Sequence, residues 1–132
     1  MSYINVGKVF EEVNNKIDKN THEVVQFQVP SAENNYTWYR LYADGWVEQG
    51  GYATLPAQAA STTATASSNL PVTMSDTNYS TTWIQVYDGG GSHELTQVYV
   101  NRTITSIGIT FYSLAATNGG NIIGWEVKGM AA

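Results

Sequence analysis

His22 and His93 are the two imidazoles of a chain that contains no cysteine, so any metal or nucleophilic chemistry would have to be built around them. Neither has a second imidazole at the short spacing of a zinc site or of a His-x-His needle. Both read as solvated side chains. Asp88 and Glu94 flank Gly89-Gly90-Gly91-Ser92, and a carboxylate pair of this kind is what glycoside hydrolysis uses. The glycine run lacks the lysine of a phosphate-binding loop, and no Gly-x-Ser-x-Gly elbow occurs. No catalytic residue, metal ligand or cofactor is assigned on this reading, and a non-enzyme is expected.

What remains is an inventory for holding sugars, which takes planar rings and amide or hydroxyl groups with little charge. The rings are Tyr79, Trp83, Tyr87, Tyr99 and Tyr112. Recognition residues sit preferentially on loops, which makes residues 88–93 and 118–121 the candidate rim. The candidate binding set is Asp88, Ser92, His93, Asn118 and Asn121, with Tyr99 and Trp83. The competing reading treats the glycine-rich loops as plain turns and the tyrosines as core.

The elements that must position these groups are bounded by composition. The chain has 132 residues, a net charge of −5 and a pI near 4.7, which argues against a nucleic-acid partner. Only 13% of residues are charged, about half the usual ~25%. Eleven of the 17 charged side chains fall in residues 1–48, and Arg102 and Lys128 are the only basic residues after that. The later surface must be solvated by Ser, Thr, Asn, Gln and Tyr, or be buried between subunits. No apolar run approaches the ~20 residues that span a bilayer, so no membrane insertion is expected. Met1-Ser2-Tyr3 opens without a signal-peptide pattern, while 42% hydrophobic content supports a packed core.

Residues 1–25 read as a stem. Val6, Phe10, Val13, Ile17, Asn20 and Val24 alternate by four and three, a heptad seam for supercoiled helices. Lys8, Glu11, Glu12, Lys16, Asp18, Lys19 and Glu23 flank it on the outside. Asn20 in the seam finds partners most simply in symmetry-related copies of itself; a single amphipathic helix lying on the head is the alternative. Ile17-Asp18-Lys19-Asn20-Thr21 resembles the Ile-x-x-Asn-Thr signature of trimeric adhesins and fibre stalks. That resemblance implies a homotrimer with Asn20 as a polar layer on the axis, where an anion could be enclosed.

From residue 26 to 132 the period changes to two. Strands are expected over 25–29, 36–42, 46–49, 52–55, 70–74, 81–87, 94–101, 104–112 and 121–128, with a hairpin at Asp44-Gly45. Residues 57–69, all but Gln58 and Asn69 being Ala, Ser or Thr, are either a linker or an ordered loop or edge strand. The fold class is mainly β, an antiparallel β-sandwich head behind an N-terminal α-helical coiled-coil stem. Trp38, Tyr39, Tyr42 and Trp46 carry more apolar area than one sandwich face buries, so they cover either a neighbouring subunit or the subunit's own core. Glu48 and Gln49 are expected to bond across subunits or to Arg40.

The block Trp38-Tyr39-Arg40-x-Tyr42-x-Asp44-Gly45-Trp46-Val47-Glu48-Gln49-Gly50-Gly51 resembles the opening of the C-terminal head domains of bacteriophage and prophage tail fibres. Leu70-Pro71-Val72, Asp76-Thr77-Asn78-Tyr79 and Ile123-Gly124-Trp125-Glu126-Val127-Lys128-Gly129 follow the same family's rhythm. The resemblance covers residues 36–132. It implies a homotrimeric receptor-binding knob at the distal end of a virion's tail fibre, joined to an upstream fibre shaft. The implied partner is a bacterial cell-surface receptor, a carbohydrate or a protein. A trimerisation cap without receptor contact, or a polysaccharide-degrading enzyme, are the competing readings.

Overall fold

The computed structural model describes residues 20–88 and 95–132. Among the described residues, eight antiparallel strands form two sheets. They are β1 (Val24–Gln28), β2 (Trp38–Tyr42), β3 (Trp46–Leu55), β4 (Thr62–Asn69), β5 (Ser80–Asp88), β6 (Thr96–Arg102), β7 (Ser106–Ser113) and β8 (Asn121–Met130). The larger sheet runs β1-β2-β3-β8-β5 and the smaller runs β4-β7-β6. Alternate residues of β3, β7 and β8 face inward, as the period-two pattern requires. Val47, Leu55, Ile123, Trp125 and Val127 of the larger sheet meet Ala66, Ile107, Ile109 and Phe111 of the smaller one.

The Asp44-Gly45 hairpin joins β2 to β3, with Gly45 at φ +89°. The Trp46 N–H donates to the Asp44 carboxylate at 3.0 Å, and His22 Nδ1 lies 2.8 Å from its other oxygen. These two contacts, in that order, hold the Asp44 carboxyl below the usual aspartate range. A depressed folded pKa contributes stability above the unfolded pKa, and that contribution is lost as pH falls through the folded value. Asp44→Asn should therefore flatten the acid limb of a Tm-against-pH curve. The effect is small, because the group is exposed.

Three expectations change, and one open alternative is decided. Residues 4–19 of the heptad seam lie outside the described residues, but its last turn is not helical. Asn20 sits in a turn and Val24 opens β1, where the β-branched pair Val24-Val25 lies along β2. The polar layer at Asn20 and the axial anion lose their basis with that helix. Residues 46–55 are one strand rather than two, because Gly50 and Gly51 are pressed between rings. A Cβ at Gly50 would lie 2.6 Å from the Trp125 carbonyl oxygen and 2.7 Å from the Trp38 indole nitrogen. The low-complexity stretch holds an edge strand, β4.

Residues 70–74, finally, form no strand. Pro71 has no N–H to give a ladder, and the fully buried Gln49 takes its place. Gln49 accepts from the Val72 N–H and donates to the Val72 carbonyl, both at 2.9 Å. Gln49 thus bonds within its own chain. Glu48 accepts from the Tyr42 hydroxyl at 2.6 Å and lies about 4 Å from both Arg40 and Lys128.

Candidate functional site

The two outward faces of the sandwich have opposite chemistry. On the smaller sheet, register places Thr65 and Tyr99 beside Thr110, and Ser67 and Asn101 beside Gly108. Paired residues share a face, so hydroxyls, amides and two tyrosines, Tyr99 and Tyr112, cover this side. Without a side chain, Gly108 makes the floor of a trough: a Cβ there would lie 3.2 Å from the Thr65 methyl. Tyr99, 56% exposed, stands as a wall of this cavity of about 420 Å³. Thr65 and Thr110 share a 2.7 Å hydroxyl bond. Among the described residues, the side chains of Ser67, Asn69 and Asn101 have no hydrogen-bond partner within the chain, and so are available to a ligand.

On the larger sheet, the registered rows Phe27-Arg40-Glu48-Lys128 and Tyr52-Gly124-Ile84 face outward. Phe27 is 66% exposed and Ile84 67%, with Val29, Tyr36, Tyr52 and Val86 also exposed. Trp38 lies against Gly50 with the Arg40 guanidinium 5.3 Å from its ring centre. Among the described residues, β1 is moreover an edge strand with no strand on its free side. Exposed apolar side chains on either side of the Arg40-Glu48-Lys128 charges are what assembly surfaces look like.

The loop ahead of β2 projects Tyr36, 47% exposed. Asn35 and Tyr36 both have left-handed backbone, at φ +56° and +58°, rare for a bulky side chain. The Tyr36 ring lies 5.3 Å from that of Tyr52. Left-handed backbone costs an L-residue about 1–2 kcal/mol. Tyr36→Gly should therefore hold or raise Tm while removing the exposed ring. A fall of several degrees in a thermal melt would mean that Tyr36 is there for packing.

The sequence-predicted residues scatter. Tyr99 lies in the trough. Trp83 packs edge-to-face on Phe111 at 4.7 Å and donates its indole N–H to Gln97, away from the trough. Asn121 is fully buried, with its carbonyl oxygen 3.4 Å from the Gln85 amide nitrogen, and presents no surface to a partner. Asn118 is exposed on the β7–β8 connection but does not line the trough. Asp88 pairs in register with Asn121 at the end of β5. Ser92 and His93 lie outside the described residues. Ser67, Asn69, Asn101 and Gly108 were missed; alternation of small inward Ala with outward hydroxyls along residues 63–69 was their signal. Among the described residues, no group of three His, Cys, Asp or Glu side chains could hold a metal ion, and no helix is long and apolar enough to cross a membrane.

No protein-family model matches the chain, and no curated protein matches it either. Solved structures do. An N-truncated R1-type pyocin tail fibre superposes with a TM-score of 0.52 at 11% identity, covering 98% of this chain and 99% of that one. An N-truncated R2-type pyocin tail fibre gives 0.46 at 17%, with 98% of this chain and 52% of that one covered. A C-terminal portion of a P. aeruginosa R2 pyocin fibre gives 0.45 at 14%, with 97% and 30% covered. The chain thus spans about half and about a third of those two. It shares the fold of the R1-type fibre structure, the architecture that the resemblance to tail-fibre heads implies.

Proposed function

We propose that this chain is the distal head of a phage-type tail fibre, a homotrimer that attaches a virion to a bacterial surface glycan and catalyses no reaction. The observation that carries the reading is the division of labour between the two faces. Three copies bury the apolar face of the larger sheet around a common axis. The uncharged face around Tyr99 and Gly108 is left outward on each copy. Single sites of this kind are weak, and three on one rigid head raise the effective concentration at a cell surface. The shared fold of the R1-type pyocin tail fibre supports the fibre part of the reading.

Fluorescently labelled head should decorate susceptible cells and compete with virion adsorption. Decoration of no susceptible strain would favour a cap that only registers the fibre's end. Loss of chain length in isolated surface polysaccharide on incubation with the protein would contradict the non-catalytic part.

A further inference from the structure

The Tyr99 trough is not an isolated pocket. A second cavity of about 690 Å³ lies beside it, between the loop ahead of β2, the end of β3 and the end of β4. Ser67, Ser68 and Asn69 line both. The end of an edge strand is therefore a wall common to the two cavities, and a ligand crossing it would follow a track from one to the other. Tyr36 and Tyr52, their rings 5.3 Å apart, line the second cavity. Each end thus offers an exposed tyrosine face, and the middle offers hydroxyls and amides. Asn35, Thr54, Ser67 and Asn69 have no side-chain hydrogen-bond partner within the chain among the described residues. None of the residues lining either cavity carries a charge.

We infer that this track binds a linear stretch of neutral oligosaccharide several units long, stacked at one end on Tyr99 and at the other on Tyr36, with β4's Ser67–Asn69 segment hydrogen-bonded to the units between. The inference rests on the glycan-binding reading above and adds to it the site, the length and the charge of the ligand. Each cavity alone has the volume of an ordinary small-ligand pocket, so a ligand that fills both must be a chain. A uronate or phosphate in that chain would meet no lysine or arginine along the track and would lose its hydration without return. Tyr36 is held in a conformation that tyrosine disfavours, which is where strain serves placement of a side chain rather than packing.

The test is an array of neutral hexasaccharides from bacterial O-polysaccharides, the disaccharides cut from them, and hexasaccharides containing uronic acid, probed with the full chain and with Tyr99→Ala, Tyr36→Gly and Asn69→Ala. All three positions are exposed, and a thermal melt of each variant verifies folding. At least one neutral hexasaccharide should be captured, its disaccharide about tenfold more weakly or not at all, and each variant should weaken the hexasaccharide about fivefold to tenfold. Capture that falls with Tyr99→Ala alone, or equal capture of di- and hexasaccharide, would overturn the track. Preference for the acidic hexasaccharides would overturn the ligand class. The same variants on whole cells separate the two readings. Wild-type decoration that survives all three changes overturns the track and leaves receptor binding standing; no decoration by the wild type removes receptor binding itself.

Discussion

Replacing Phe27 and Ile84 together by aspartate should turn a particle of about three chain masses into single chains of 14.4 kDa without unfolding the head. Both side chains are about two-thirds exposed in the single chain, so neither substitution opens a cavity, and far-UV circular dichroism should be unchanged. In the proposed trimer they are covered, and burial of apolar surface contributes about 25 cal/mol per Å². Two desolvated carboxylates per subunit would reverse that gain at each of three interfaces. Light scattering reads the outcome directly. A wild-type mass of one chain would remove the trimer. A double variant that keeps the wild-type trimeric mass would place the assembly surface elsewhere.

Gln49→Leu should be the most damaging single change within a subunit. Leucine fits the volume but leaves the Val72 N–H and carbonyl, both now held at 2.9 Å, without partners at a site where Gln49 itself is fully buried. Each orphaned group costs about 1–3 kcal/mol, so a loss of about 3 kcal/mol and a Tm lower by about 15 °C are expected for a domain of this size. The melt must be run at fixed protein concentration, because assembly adds to apparent stability. A Tm within two or three degrees of wild type, as ~2–3 °C falls well short of that cost, would mean that the 70–74 segment finds other partners.

This glutamine also shows why part of the fold was hidden. Its partner lies 23 positions away, and nothing local in residues 70–74 distinguishes a segment clamped by a side chain from a strand paired by backbone. Pro71 was the available warning. The Asp44-Gly45 hairpin, by contrast, is a local rule obeyed locally, and β2, β3 and β8 follow from it and from alternation. Gly50-Gly51 read as a break because glycine weakens strands, whereas here its lack of a Cβ is what lets the Trp38 and Trp125 rings close on the backbone. The heptad spacing continued through Val24 because a four-three rhythm is blind to β-branching. Strand pairing with β2 overrode it at that point.

The binding site was less legible than the fold for a related reason. Aromatic content marked Tyr99 and Trp83 alike, and only tertiary packing assigns one to the surface and the other to Phe111. Tyr36 was read as the start of a strand, because a left-handed tyrosine has no signature in its neighbours. The track itself is made by β4, whose Ala, Ser and Thr residues looked like low complexity. Those residue types suit an edge strand that must be flat inside and hydroxylated outside.

The central claim is that the two outer faces of the sandwich have different partners, and a crystal structure of the assembled head soaked with surface polysaccharide from a decorated strain tests it in one measurement. Phe27 and Ile84 should lie buried between copies, with sugar density over Gly108 against the Tyr99 ring. A structure in which the smaller sheets meet around the axis, leaving Phe27 and Ile84 in solvent, would contradict it.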